Sequence, residues 1–262
     1  MRRSTRVLLI LTALSAFGAA TARAEDPEIT KLRAAELKVF TDEQIFDGFF
    51  KTAFGAEMRI AGRTDVIRKY DKPVRVYVEN HVKPDRSTQV ADVIADIQRH
   101  IPNIDIAMTG DRKAATTVVR LLRNRELART LRAAYGRDRA RKIERKLAPQ
   151  CLSGFRKDAT YRIVASDVFL VADAGDFIFY DCAYEEILQS LGPINDDSSV
   201  PWTMFNDDVH AGFFDVYDQY ILNILYHPRI RPGMTREEVR ALLPEIMPEV
   251  RAWIAKVNGL SP

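Results

Sequence analysis

Residues Asp181 to Asp208 read DCAYEEILQSLGPINDDSSVPWTMFNDD, and the fold of the whole chain is interpreted from this stretch. Its first half predicts a helix, which Gly192 would end, and a loop with Met204 follows. Within it five residues have the spacing E-E-x-x-Q-x-x-G-x-x-N. They are Glu185, Glu186, Gln189, Gly192 and Asn195.

This spacing resembles the zinc-binding signature of the metzincin proteases, H-E-x-x-H-x-x-G-x-x-H, which a methionine turn follows. Gly192 matches, and Glu186 stands where the general base would be. Glu185, Gln189 and Asn195 occupy the three histidine positions. The resemblance implies a zincin-like scaffold, with Met204 in a turn beneath Glu185 and Gln189.

The three replacements change the metal chemistry. Zinc favours imidazole, thiolate and carboxylate, whereas these positions offer one carboxylate and two neutral amide oxygens. We therefore expect no zinc and no other cofactor, and Glu186 then has no metal-activated water. Asp196 is a further candidate ligand beside Asn195, and oxygen donors leave Ca²⁺ or another oxygen-favouring cation open.

The same helix has a simpler interpretation as an ordinary amphipathic helix. Glu185, Glu186 and Gln189 would then occupy a solvated polar face. The apolar face would comprise Phe177, Tyr180, Tyr184, Ile187, Leu188 and Leu191.

Residues 1–24 are predicted to be a signal peptide cleaved after Ala24. Arg2, Arg3 and Arg6 precede a short apolar run, and Ala22-Arg23-Ala24 has the A-x-A form of a cleavage site. The run is short for a membrane span, so an uncleaved anchor is the less favoured alternative. We expect a periplasmic or secreted protein without a transmembrane span after cleavage.

The apparent basicity of the chain comes from this leader. The whole chain has 39 Lys and Arg against 36 Asp and Glu, and four arginines lie in residues 1–24. The mature chain therefore has 35 basic and 36 acidic residues, which gives no reason to expect a nucleic-acid partner.

Cys151 and Cys182 are the only cysteines. In an oxidising compartment one pair predicts one disulfide, with Cα atoms about 4.4–6.8 Å apart. A catalytic thiol is the alternative, but no histidine is near either residue in the sequence.

Periodicity predicts a mixture of strands and helices, and the zincin resemblance implies an α+β fold in which a mixed, twisted sheet packs on the central helix. Residues 25–262 would form one domain, with an upper α/β lobe at about 60–192 and a mostly helical C-terminal lobe at about 193–262. The strands are predicted at 67–79, 104–108, 116–122 and 161–173, and the helices within 25–55 and at 84–100, 176–191, 213–228 and 235–256. The predicted order matches the zincin upper lobe, which has a strand, a helix, two strands and then the central helix. In that lobe, strand 161–173 would run along the edge of the cleft.

Residues 112–146 are strongly basic, with two predicted amphipathic helices joined at Gly136. The favoured interpretation is a solvated helical face on which long arginine side chains cover apolar surface. The alternative is a binding surface for anionic lipid, cell-wall polymer or an acidic partner.

The motifs GFFKTAFG, PVRVYVEN, EEILQSLGPINDD and LYHPRIRPGMT resemble an exported bacterial family of unknown function. The resemblance implies that the E-E-x-x-Q helix is that family's usual form. Two functions follow as hypotheses. The first is a non-catalytic, pseudo-metallopeptidase module that binds a peptide, protein or cell-envelope component. The second is an atypical metal-dependent hydrolase with Glu186 as general base.

Overall fold

The computed structural model describes residues 24–55, 65–80, 82–147 and 150–260, so most of the predicted leader lies outside the described residues. In chain order the elements are α1 (Pro27–Ala35), α2 (Asp42–Thr52), β1 (Val74–Asn80), α3 (Ser87–His100), β2 (Ile106–Met108), β3 (Thr117–Leu122), α4 (Asn124–Tyr135), α5 (Arg137–Leu147), β4 (Cys151–Lys157), β5 (Ile163–Val171), α6 (Asp176–Gln189), α7 (Val216–Leu225) and α8 (Arg236–Asn258).

Most predicted elements are confirmed, and the local signals explain their ends. Thr41 caps α2 in a reciprocal capping box with Gln44, and Thr235 caps α8 in the same way with Glu238. The predicted strand at 67–79 is wrong in its first half. Residues before Val74 pair elsewhere, through isolated bridges of Val66 with Thr235 and of Lys69 with Arg162.

The five strands form one mixed sheet in the order β2-β1-β3-β5-β4. Neighbours among β2, β1, β3 and β5 are parallel, while β4 pairs antiparallel with β5 at the edge. The sequence interpretation missed β4, because CLSGFRK has no alternating apolar pattern. The predicted edge strand, β5, is therefore an interior strand.

The sheet is covered on both faces. Val76, Val119 and Val168 belong to the main core with residues of α3, α6, α7 and α8. On the other face, Phe169 and Val171 of β5 form a second core with residues of α4 and α5. The central helix α6 packs against β4 and β5. Among the described residues, no helix is both long and apolar enough to cross a membrane.

Candidate functional site

The helix α6 is held at its start and at its middle. Asp176 in its first turn forms an ion pair with the buried Arg86, which also donates from Nε to the Ala172 carbonyl oxygen at 3.1 Å. One turn before Glu185 and Glu186, Cys182 forms a disulfide with Cys151 of β4, with Cα atoms 5.8 Å apart. The predicted disulfide is therefore confirmed, and it fastens the edge strand to the central helix.

The polar residues of the motif do not lie on a solvated face. Glu186 and Gln189 are only 5% and 6% exposed. A carboxylate is rarely this buried in an ordinary surface helix, because removing it from water costs free energy. The simpler interpretation of α6 as an amphipathic helix with a solvated polar face is therefore wrong.

Three carboxylates converge where α6 meets the loop that follows it. One oxygen from each of Glu185, Asp196 and Asp207 lies within 4.8 Å of the other two. The sequence singled out Glu185 and Asp196 but not Asp207, because an Asn-Asp pair in a loop is typical of a turn. No local pattern pointed to its position, which depends on the path of the loop between α6 and α7.

Gln189 and Ser153 border this carboxylate cluster of Glu185, Asp196 and Asp207. Gln189 donates from Nε2 to Asp196 Oδ1 at 2.6 Å, and the Ser153 hydroxyl donates to Gln189 Oε1 at 3.5 Å. Since Ser153 lies in β4, which is the last strand of the sheet among the described residues, this edge of the sheet runs beside the carboxylate cluster.

The cluster has a strongly negative environment. Burial raises the pKa of the Glu185 carboxyl well above its usual range, and the negative charges of Glu186 and Asp196 raise it further. None of the described hydrogen bonds or ion pairs supplies Glu185 with a cationic partner. A cation placed among these carboxylates would relieve that repulsion and keep Glu185 ionised.

Asn195, at the third histidine position of the metzincin signature, connects two segments of the chain. Asn195 donates from Nδ2 to the Lys51 carbonyl oxygen at 2.8 Å and so ties the loop to the end of α2. Gln189 uses its amide nitrogen on Asp196. Glu185, Gln189 and Asn195 therefore do not present three free donors, and this set does not fit the zinc site that the metzincin signature implies.

Met204 is buried in the loop between α6 and α7, and its position is set by α7. Its backbone N–H donates to Asp218 Oδ2 at 2.8 Å, while the Thr203 hydroxyl donates to the other oxygen of Asp218. The placement of Met204 beneath Glu185 and Gln189 stays a prediction.

Residues 42–245, from the first residue of α2 into α8, match a family described as "Protein of unknown function (DUF2927)". The chain belongs to the DUF2927 family. The predicted membership of a family of unknown function is thereby confirmed, while the resemblance to metzincins stays a hypothesis. Searches of curated proteins and of solved structures returned no match. The DUF2927 segment includes the carboxylate cluster and both cysteines.

A second buried carboxyl pair in this DUF2927 protein supports the loop that carries Met204. Asp215 caps α7 by accepting from the Asp218 backbone N–H at 2.9 Å. Burial raises the pKa of Asp218 to about 6, and burial together with the charge of Asp218 raises the pKa of Asp215 well above its usual range. The nearby Glu36 carboxylate, which accepts from the Val216 N–H, raises the pKa of Asp215 further.

We expect Asp215→Asn to stabilise the protein increasingly as the pH rises above about 4. Carboxyls whose folded pKa is raised contribute stability that is complete below their unfolded pKa, near 4, and is lost as the pH rises through the folded pKa. Asparagine caps the helix equally well but cannot ionise. The gain in unfolding free energy should be near zero at about pH 4 and about 1–3 kcal/mol at about pH 8.

Urea unfolding at several pH values measures this gain. Asp92→Asn, which removes an exposed carboxylate of α3, is the matched control and should change the stability by less than about 0.5 kcal/mol throughout. A gain from Asp215→Asn that is independent of pH would contradict the assignment.

Proposed function

We propose that this protein is a zincin-like, non-catalytic binding module of the bacterial envelope that holds an extended peptide along β4. The zincin-like assignment is supported by the element order, by α6 packed against the sheet and by a buried methionine in the loop after it. The strand that borders the cleft is β4 in this proposal, because β4 and not β5 forms the edge.

The observation that carries the proposal is the position of β4 beside the carboxylate cluster. Among the described residues β4 pairs only with β5, so its other edge can accept the backbone of an added strand. Ser153 on β4 contacts Gln189, which in turn contacts Asp196 of the cluster. A peptide paired with β4 would therefore place a side chain near Glu185, Asp196 and Asp207.

The negative charge of the carboxylate cluster favours a peptide with a basic side chain. A lysine or arginine side chain would offset the mutual repulsion of the carboxylates, whereas an acidic side chain would add to it. We infer that the preferred peptide is extended and has a basic residue at the position opposite the cluster.

Asp207→Asn is the variant that tests this recognition, because Asp207 is the exposed member of the cluster. We expect about a tenfold loss of affinity for extended peptides with a central arginine, and little change for the same peptides with a central glutamine. Asp208→Asn, at the exposed neighbouring position, is the matched control. Fluorescence anisotropy with the mature protein measures these affinities, and equal binding of arginine, glutamine and glutamate peptides would reject the proposal.

The second candidate function is a metal-dependent hydrolase, and the geometry of the carboxylates favours it. Two oxygen ligands on opposite sides of Ca²⁺ are about 4.8 Å apart, since each Ca²⁺–O distance is about 2.4 Å. The oxygens of Glu185, Asp196 and Asp207 lie within that span of one another. In this case Ca²⁺ or a similar cation would be the cofactor, and Glu186 would serve as general base.

Metal content and Glu186→Gln separate the two candidates. For the binding module we expect no stoichiometric metal in the purified protein and unchanged peptide affinity in Glu186→Gln. One tightly held metal per chain, with peptide hydrolysis that Glu186→Gln abolishes, would instead favour the hydrolase.

A further inference from the structure

The helical hairpin formed by α4 and α5 concentrates positive charge on one side of the molecule. Residues 123–143 include eight Lys and Arg but only two acidic residues, whereas the mature chain as a whole is nearly neutral. The favoured sequence interpretation was a solvated face whose arginine side chains cover apolar surface.

The apolar side of the hairpin is already used within the fold. Leu127, Leu131, Ala140 and Ile143 pack against the second core on β5. The outward side therefore presents charge and no large apolar side chain, and the exposed large hydrophobic residues of the described chain all lie elsewhere. Any partner of this side is recognised by electrostatics and not by insertion of apolar side chains.

Several of the basic residues are not neutralised within the protein. Arg125, Arg129, Arg137 and Lys142 are exposed and take part in none of the ion pairs found among the described residues. On the same face of the sheet, the Asp167 carboxylate is already bound by Arg120 and Arg156.

One further exposed cation lies on the same side of the sheet as the hairpin. Arg112 is exposed and lies over the Tyr77 ring, 6.0 Å from its centroid. Tyr77 pairs in register with Val118, and Val118 with Asp167, so Tyr77 lies on the sheet face that α4 and α5 cover. The basic surface therefore comprises α4, α5 and Arg112.

We propose that this basic surface docks the protein onto an anionic lipid bilayer. Two helices lying side by side on a sheet form a broad surface, which matches a planar partner, and exposed cations near an anionic bilayer each strengthen binding by about fivefold. Single-stranded nucleic acid is a poorer match, because its binding sites use exposed aromatic side chains for stacking. The proposal is independent of peptide binding at β4, but it rests on the predicted export, which brings the chain to a membrane surface.

Co-sedimentation of the mature protein with vesicles tests the proposal. We expect binding to vesicles of about 30% phosphatidylglycerol in phosphatidylcholine at about 50 mM salt, and loss of that binding at about 0.5 M salt. Equal binding to pure phosphatidylcholine, or binding that persists at high salt, would overturn it.

Charge reversal locates the binding surface. The triple variant Arg125→Glu, Arg129→Glu and Arg137→Glu should weaken vesicle binding by about a hundredfold or more. An unchanged unfolding midpoint checks that the variant is folded, and substitution of the same three residues by Gln, with a smaller expected loss, is the fallback if it is not.

A second triple variant controls for net charge. Lys72→Glu, Lys83→Glu and Arg231→Glu reverse three exposed cations on other parts of the chain and should weaken binding by less than about tenfold. Equal losses in the two triple variants would reject a specific surface, and so would tight binding to duplex DNA without binding to anionic vesicles.

Discussion

Replacing Gly192 with alanine is expected to lower the free energy of unfolding by about 3–5 kcal/mol. Gly192 has a φ of +146°, and a Cβ built on it would lie 2.4 Å from the Arg68 carbonyl oxygen and 2.9 Å from Leu225 Cδ2. Because the closest atom belongs to the backbone, relief requires moving a chain segment and not merely turning a side chain.

Gly175→Ala is the matched control for this prediction. Gly175 also has a positive φ, +97°, but no atom lies within 4 Å of a Cβ at that position. It should therefore report the cost of the backbone conformation alone, about 1–3 kcal/mol. Urea unfolding of both variants measures the difference, and equal losses would show that the contact with Arg68 is not the reason for glycine at position 192.

Replacing Cys151 and Cys182 together with alanine is expected to lower the free energy of unfolding by about 3–4 kcal/mol. The disulfide joins residues that are 31 positions apart, and in the chain-entropy model a loop of this length accounts for that stabilisation. The variant should also loosen β4 from α6, so the affinity for a peptide along β4 should fall. The local stability of α7 and α8, which the disulfide does not join, should change little.

Two measurements check the role of the disulfide. Reduced wild-type protein should unfold at the same denaturant concentration as the double alanine variant, because both lack the cross-link. Thiol labelling of the denatured, unreduced mature protein should find no free thiol. Two reactive thiols, or a loss of less than about 1 kcal/mol in the variant, would contradict the prediction.

Gly192 and the cysteine pair could both be recognised from the sequence. Gly192 stands at the position of the metzincin glycine. Glycine is needed there because the backbone of Arg68 lies too close to leave room for a Cβ atom. The cysteine pairing followed from an isolated pair of residues alone. Neither inference depended on knowing which side chains meet in space.

The local elements were predictable because their signals lie within a few residues of each other. Thr41 with Gln44 and Thr235 with Glu238 mark helix starts, and Gly136 separates α4 from α5. The strand β4 was not predictable in this way. Its position comes from pairing with β5, from packing against α6 and from the disulfide, and not from alternation in its own sequence.

The sequence by itself determined the helices, three of the five strands nearly to their ends, the disulfide pair and the family-like motif around Glu185 and Glu186. Only the tertiary structure decided that Glu186 and Gln189 are buried, that β4 forms the sheet edge and that Asp207 joins Glu185 and Asp196. The physical reason is the loop after α6. Its path depends on contacts with distant segments, among them Asn195 with Lys51 and Met204 with Asp218, and no periodicity within the loop encodes them.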